Sequence, residues 1–170
     1  MDATTYLETF DRTLSKNFHK SLVSETYFHC LLADRVAINE EVDAVKKALF
    51  YGKIKYDGWY PPSGGGHEDQ WDRYEPNLVH ATLGIDTEAA ELLEILLDSP
   101  ELDKETLRKR VLDEAGDLLW YTALLLKYVG LTFEEVFEKN IAKLKARYPE
   151  GFSQDSAVHR NEAKESAVFS

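Results

Sequence analysis

The sequence predicts an all-α protein, an antiparallel helical bundle of four main helices. Apolar residues recur every three or four positions over four long stretches of the chain. Two Thr-x-x-Glu motifs, Thr5 to Glu8 and Thr132 to Glu135, are typical of the first turn of a helix. No segment shows the alternation of apolar and polar residues that is typical of a strand.

The helices can be placed in chain order. We expect a short helix to open at the Thr5 motif, and a long helix to run from about Ser24 to Tyr51. A second main helix covers about 78–97, and the sequence Asp-Ser-Pro at 98–100 ends it.

The third and fourth main helices follow after short connections. Ser99 or Asp103 can cap the third, which continues to about Val129 before Gly130. The Thr132 motif opens the fourth, which ends near Arg147.

Two segments fall outside these helices. Residues 52–77 are rich in Gly, Pro and aromatic side chains, which is more typical of a lid or binding loop than of a spacer. Residues 154–170 form a polar C-terminal tail. We therefore expect a single helical domain over 1–153, followed by that tail.

Composition excludes several classes of function. The chain has 170 residues, with 20 Lys and Arg against 31 Asp and Glu, a formal net charge of −11. Such an acidic protein is not expected to bind nucleic acid or an anionic membrane, because binding to phosphate groups needs clustered cations. Its one cysteine excludes an internal disulfide. The apolar run at 118–126 is too short to cross a bilayer, so we expect a cytoplasmic protein.

Four carboxylates are predicted to lie on or beside the apolar stripes of their helices, which face the core. A helical wheel places Glu88 among apolar residues of the second main helix, with Glu91 at the edge of that stripe. Glu114 and Asp117 lie in or beside the apolar stripe of the third. Buried carboxylates need cations, shared protons or metal ions, and oxygen ligands suit Mg²⁺ or Mn²⁺. The alternative is that these four carboxylates lie at a solvent-exposed end of the bundle.

The fourth main helix has a related anomaly. Asn140 lies on its apolar side, and Lys143 and Arg147 follow on the adjoining edge. These groups could bind triphosphate oxygens or a sugar. The alternative is that Asn140 is a hydrogen-bonded amide of the core and that Lys143 and Arg147 are solvated.

Three blocks of the sequence resemble the MazG-like all-α nucleoside triphosphate pyrophosphohydrolases. The first is LVHATLGIDTEAAELLEIL (78–96), whose pair of acids is Glu88 and Glu91. The second is DEAGDLLWYTALLLKYVGLTFEEV (113–136), with Glu114 and Asp117, and the third is NIAKLKARYPEGFS (140–153). The segment DAVKKALFYGK (43–53) is also similar to the family, but here it precedes the first block.

The resemblance implies a function. Members of this family hydrolyse a nucleoside triphosphate to the monophosphate and pyrophosphate, and their four acids hold Mg²⁺, which Mn²⁺ can replace. They are usually dimers or tetramers. Tyr121 matches a tyrosine of the nucleotide pocket in relatives, and we expect a purine deoxynucleotide such as dGTP as substrate.

Two points stay open at this stage. Trp59 or Trp71 could stack on the base, or could anchor the loop to the bundle. The chain could also be a non-catalytic helical interaction module derived from the same fold.

Overall fold

A computed structural model describes residues 1–52 and 71–170. Within them the chain forms seven α-helices and no strand, which confirms the all-α prediction. The helices are α1 (Ala3–Phe10), α2 (Glu25–Tyr51), α3 (Pro76–Asp98), α4 (Lys104–Val129), α5 (Phe133–Arg147), α6 (Gln154–Val158) and α7 (Glu162–Ser166).

Local capping explains where the main helices begin and end. Ser24 accepts a hydrogen bond from the backbone N–H of Tyr27, and Gly52 follows α2 with a left-handed φ of 62°. The Asp103 carboxylate accepts the N–H groups of Glu105 and Thr106 at 2.9 and 2.8 Å, so Asp103 caps α4. Thr132 and Glu135 form the predicted capping box.

The predicted capping box at the first helix is wrong. Helix α1 begins at Ala3, and the Asp2 carboxylate accepts the N–H of Thr5 at 2.8 Å. Asp2 offers a cap one turn earlier, so Thr5 lies inside the helix. There the Thr5 carbonyl accepts the hydroxyl of Thr9.

The described chain divides into two compact units. One contains residues 1–22 and 130–170, and the other contains residues 23–129. Of the four main helices, α2, α3 and α4 therefore belong to one unit and α5 to the other. The boundary at residue 153 between a domain and a tail stays a prediction.

In the first unit, α5 packs against α1 and α7. The ring of Tyr6 stacks on that of Phe137 at 4.6 Å between centroids. The C-terminal segment contains α6 and α7, which begin after Ser153 and Asn161 because these side chains cap them.

A buried carboxylate fastens α7 to α5. Glu165 is 4% exposed, and its two oxygens accept hydrogen bonds from Arg147 at 2.9 and 2.5 Å. Arg160 donates to the same carboxylate at 3.3 and 2.8 Å. These charge-assisted bonds lower the pKa of Glu165 to about 2.

In the second unit, α3 packs against both α2 and α4. Arg35 pairs with Asp86, whereas Phe50 farther along α2 stacks on His80 nearer the start of α3. This order shows that α2 and α3 are antiparallel. Arg110 pairs with Asp98, and Tyr121 lies against Gly84, so α3 and α4 are antiparallel as well.

Gly84 allows the aromatic ring of Tyr121 to lie directly on the backbone of α3. A Cβ atom at Gly84 would lie 2.1–2.3 Å from three atoms of that ring, far inside van der Waals contact. At this point the two helices fit only because Gly84 has no side chain. No helix in the described part of the chain is long and apolar enough to cross a membrane.

We predict that Gly84→Ala lowers the free energy of unfolding by about 1–3 kcal/mol, because the new methyl group displaces Tyr121. Urea unfolding followed by circular dichroism measures the change. Gly116→Ala on α4 is the matched control, because its Cβ would meet nothing within 4 Å. The control should gain about 0.5–1 kcal/mol from helix propensity, and equal effects of both substitutions would contradict the prediction.

Acid should weaken the contact between α5 and α7. The pKa of Glu165 is depressed in the folded state, so its stabilisation is present above the unfolded pKa of about 4.3 and is lost as the pH falls toward 2. Glu165→Gln should therefore lower the melting temperature at pH 7 and have little effect near pH 2. Glu162→Gln in the same helix, an exposed position, should change neither value.

Candidate metal centre

Three glutamates converge between α3 and α4. Glu88 and Glu91 lie one turn apart on α3, and Glu114 faces them from α4. One carboxylate oxygen from each lies within 4.8 Å of the others. Glu88 is 5% exposed, and Glu91 and Glu114 are half-buried. The structure thus brings together three of the four carboxylates that the sequence predicted.

Burial and mutual repulsion make this cluster electrostatically strained. Burial, together with a hydrogen bond to Glu114 and its negative charge, raises the pKa of Glu91 to about 7. Burial and the charge of Glu91 raise the pKa of Glu88, and Lys46 partly opposes this rise. The three glutamates therefore carry more negative charge than their surroundings neutralise.

A buried lysine from α2 completes the cluster. Lys46 is 4% exposed, and its Nζ lies 3.3 Å from Oε1 of Glu88 and 3.2 Å from Oδ1 of Asp43. It also donates to the Thr87 hydroxyl at 2.8 Å. Burial alone would lower the pKa of Lys46, but the hydrogen bond to Asp43 and the surrounding charges raise it. Lys46 is therefore fully charged at neutral pH.

The sequence reasoning missed Lys46. The sequence pattern that could have indicated it is a polar stripe on one face of α2. Asn39, Asp43 and Lys46 form this stripe, at spacings of four and three residues. Such a stripe on an acidic helix is usually solvated. Packing against α3 is what turns it inward, where the Asn39 amide donates to the Thr87 carbonyl at 3.4 Å.

Asp117 lies apart from the three glutamates. It is exposed on α4, one turn after Glu114, and lines an open cavity of about 240 Å³ with Tyr51, Trp120 and Tyr121. The Tyr51 and Tyr121 hydroxyls are 3.3 Å apart. Burial and this hydrogen bond raise the pKa of Tyr121 to about 12, so its hydroxyl keeps its proton.

An aromatic cluster around His80 includes three of the residues that line this cavity. The ring of His80 stacks on Phe50 at 4.0 Å and meets the edges of Tyr51, Trp120 and Tyr121. Burial and the positive charge of Lys46 lower the pKa of His80, so the imidazole is neutral at pH 7. Three rings of this cluster, those of Tyr51, Trp120 and Tyr121, line the open cleft beside Asp117.

The other predicted site residues lie elsewhere. Asn140 and Lys143 line a groove of about 450 Å³ in the first unit, where Asn140 accepts the Tyr6 hydroxyl at 3.1 Å. Arg147 is paired with Glu165. Trp59 and the side chain of Trp71 lie outside the described part of the chain.

The three glutamates fit a hard divalent cation. They offer carboxylate oxygens within 4.8 Å of one another, a donor set that suits Mg²⁺ or Mn²⁺. Burial and the neighbouring Glu114 raise the pKa of Glu91, and a bound cation would stabilise its ionised form.

Comparison with known proteins identifies the family. Residues 80–152 match the MazG nucleotide pyrophosphohydrolase domain. The chain belongs to the MazG family. It is similar to the Gene 37 protein of Mycobacterium phage L5, with 30% identity over 87 residues, which cover 49% of this chain and 76% of that protein. No solved structure gave a significant match.

The MazG match includes all three clustered glutamates but not the whole site. It begins at residue 80 in α3 and ends at residue 152, after α5. Helix α2, which carries Asp43 and Lys46, lies outside the matched stretch.

We predict that the metal-free protein becomes less stable as the pH rises from 5 to 8. The pKa of Glu91 is raised to about 7 in the folded state. Ionised Glu91 therefore lowers the free energy of unfolding, and this loss is absent below the unfolded pKa of about 4.3 and complete above pH 7. In chelator at pH 8, Glu91→Gln should therefore be more stable than the wild type by on the order of 2 kcal/mol.

Urea unfolding at pH 5 and pH 8 measures this difference. The exposed Glu41→Gln on α2 is the control and should show no pH-dependent gain. A gain for Glu91→Gln that is the same at both pH values would contradict the prediction.

Proposed function

We propose that this MazG protein hydrolyses a nucleoside triphosphate to the monophosphate and pyrophosphate with the aid of a divalent cation. The observation that carries the proposal is the convergence of Glu88, Glu91 and Glu114 within the stretch that matches the pyrophosphohydrolase domain. Buried carboxylates are costly for stability, which favours a functional reason for keeping three together.

The carboxylates supply the ligands. Glu88, Glu91 and Glu114 would hold Mg²⁺, with Mn²⁺ as a substitute, and Asp117 would join them from the next turn of α4. When bound, the cation neutralises phosphate charge and lowers the pKa of a coordinated water.

Hydrolysis needs one bond made and one broken. A water oxygen forms a bond to the α-phosphorus while the bond from that phosphorus to the α–β bridging oxygen breaks. A carboxylate of the cluster accepts the proton of the water, and pyrophosphate leaves. The glutamates thus orient the water as well as bind the cation.

Other residues would bind the nucleotide. We propose that Tyr121 contacts the sugar or the α-phosphate, since Tyr121 lines the cavity that Asp117 also lines. Asn140, Lys143 and Arg147 would bind phosphate or sugar oxygens, and Arg147 would have to release Glu165 first. Trp59 or Trp71 would stack on the base.

We also propose the substrate class and the assembly. A deoxynucleoside triphosphate is the first choice, with a purine such as dGTP tested first, because similarity to a phage protein favours a role in a deoxynucleotide pool. A homodimer or homotetramer is expected. Exposed apolar side chains on α4 support this assembly, since a subunit interface would cover them. They are Leu112, Leu119 and Trp120, which are 67, 53 and 57% exposed.

A hydrolysis panel of the common ribo- and deoxynucleoside triphosphates with Mg²⁺ tests the reaction. We predict pyrophosphate from one or a few nucleotides, and a fall of roughly 100-fold or more in Glu114→Gln, because a carboxylate that holds the cation is lost. Glu105→Gln on the same helix, 78% exposed, should keep full activity.

The products decide between the alternatives. Orthophosphate in place of pyrophosphate would move the attack to the γ-phosphorus and contradict the proposal. No release from any nucleotide, with no stabilisation by Mg²⁺ or Mn²⁺, would favour a non-catalytic interaction module.

A further inference from the structure

The ammonium group of Lys46 is buried and enclosed by oxygen atoms. Its Nζ lies near three oxygens, those of Thr87 at 2.8 Å, Asp43 at 3.2 Å and Glu88 at 3.3 Å. The ring of Tyr121 covers it, with 5.1 Å from Nζ to the ring centroid. An ion surrounded by oxygens and closed off from solvent is the usual setting of a bound cation.

We propose that Lys46 is a resident cation of the glutamate cluster, which occupies its Glu88 side and weakens the binding of free divalent cations. The inference rests on the proposed function, because it assumes that the cluster binds a divalent cation. It goes beyond that function by assigning a role to a residue of α2, outside the stretch that matches the MazG domain.

The first consequence concerns charge. Oε1 of Glu88 already contacts the ammonium group, so only the other oxygen of Glu88 is available to a metal. The ammonium charge also repels a divalent cation at Glu91 and Glu114, because their oxygens lie within 4.8 Å of an oxygen of Glu88. The cluster alone is therefore a weak site.

The second consequence concerns the substrate. A triphosphate brings several negative charges, which offset the repulsion by Lys46. A cation that binds weakly to the free protein then binds well together with the nucleotide. Lys46 is a positioning residue in this account, since it acts through Glu88 and through the field at the cluster.

Lys46→Met tests the inference, since methionine keeps much of the side-chain volume without the charge. Titration with Mn²⁺ alone, followed by the loss of the free-ion electron paramagnetic resonance signal, measures the affinity. We expect Lys46→Met to bind Mn²⁺ roughly tenfold or more tightly than the wild type. Lys46→Arg, which keeps the charge, should bind Mn²⁺ about as weakly as the wild type.

Lys47→Met is the matched control. Lys47 is the next residue of α2 and pairs with Asp43 as Lys46 does, but its side chain is 51% exposed. Each substitution removes one positive charge and leaves Asp43 with the other lysine. Lys47→Met should leave the Mn²⁺ affinity within about twofold of the wild type, because solvent screens its charge.

Melting temperatures with and without Mn²⁺ test whether Lys46 takes the place of a metal ion or has only a structural role. Lys46→Met should melt at a lower temperature in chelator, and saturating Mn²⁺ should raise its melting temperature more than it raises that of the wild type. An equal loss with and without Mn²⁺, or a failure to fold even with Mn²⁺, would overturn the inference.

The affinities distinguish this inference from the proposed function. Equal or weaker Mn²⁺ binding by Lys46→Met would overturn the role of Lys46 and leave the function standing. No Mn²⁺ binding by either protein would remove the metal centre itself, and both proposals with it.

Discussion

The structure depends on how three like-charged carboxylates are kept together between two helices. Glu88, Glu91 and Glu114 lie within 4.8 Å of one another, and burial raises the pKa of two of them. Such a cluster destabilises a helix pair unless cations compensate it. The protein supplies one cation from α2, Lys46, and the remaining charge favours a divalent ion. The packing of α2 against α3 is therefore part of the site and not only a support for it.

Close contact between α3 and α4 sets the geometry of this site. The ring of Tyr121 lies on the backbone of α3 at Gly84, one turn before Glu88. The same ring covers Lys46, and its hydroxyl meets that of Tyr51. One aromatic side chain thus connects the glutamate cluster, the resident lysine and the cleft beside Asp117. A change at Gly84 should disturb all three, because a packed interior transmits strain.

Much of the candidate site could be predicted from the sequence. Glu88, Glu91 and Glu114 follow from a helical wheel, because three-residue spacing puts side chains on one face and an apolar stripe marks the buried face. Asp117 follows Glu114 at the same spacing but is exposed and does not belong to the group of three, because the packing of α3 against α4 decides which positions are covered. Lys46 and Asp43 could not be placed, because their polar stripe suits a solvated face equally well until α3 packs against it.

The sequence by itself determined the helices and most of their ends, since caps such as Ser24, Asp103 and Thr132 act on backbone groups within the next three residues. Only the tertiary structure decided which charges meet. Lys46 pairs with Glu88 across 42 residues, and Arg147 pairs with Glu165 in the C-terminal segment rather than remaining free for an anion. A cap is a local bond, whereas an ion pair between distant helices depends on their register and on which faces are buried.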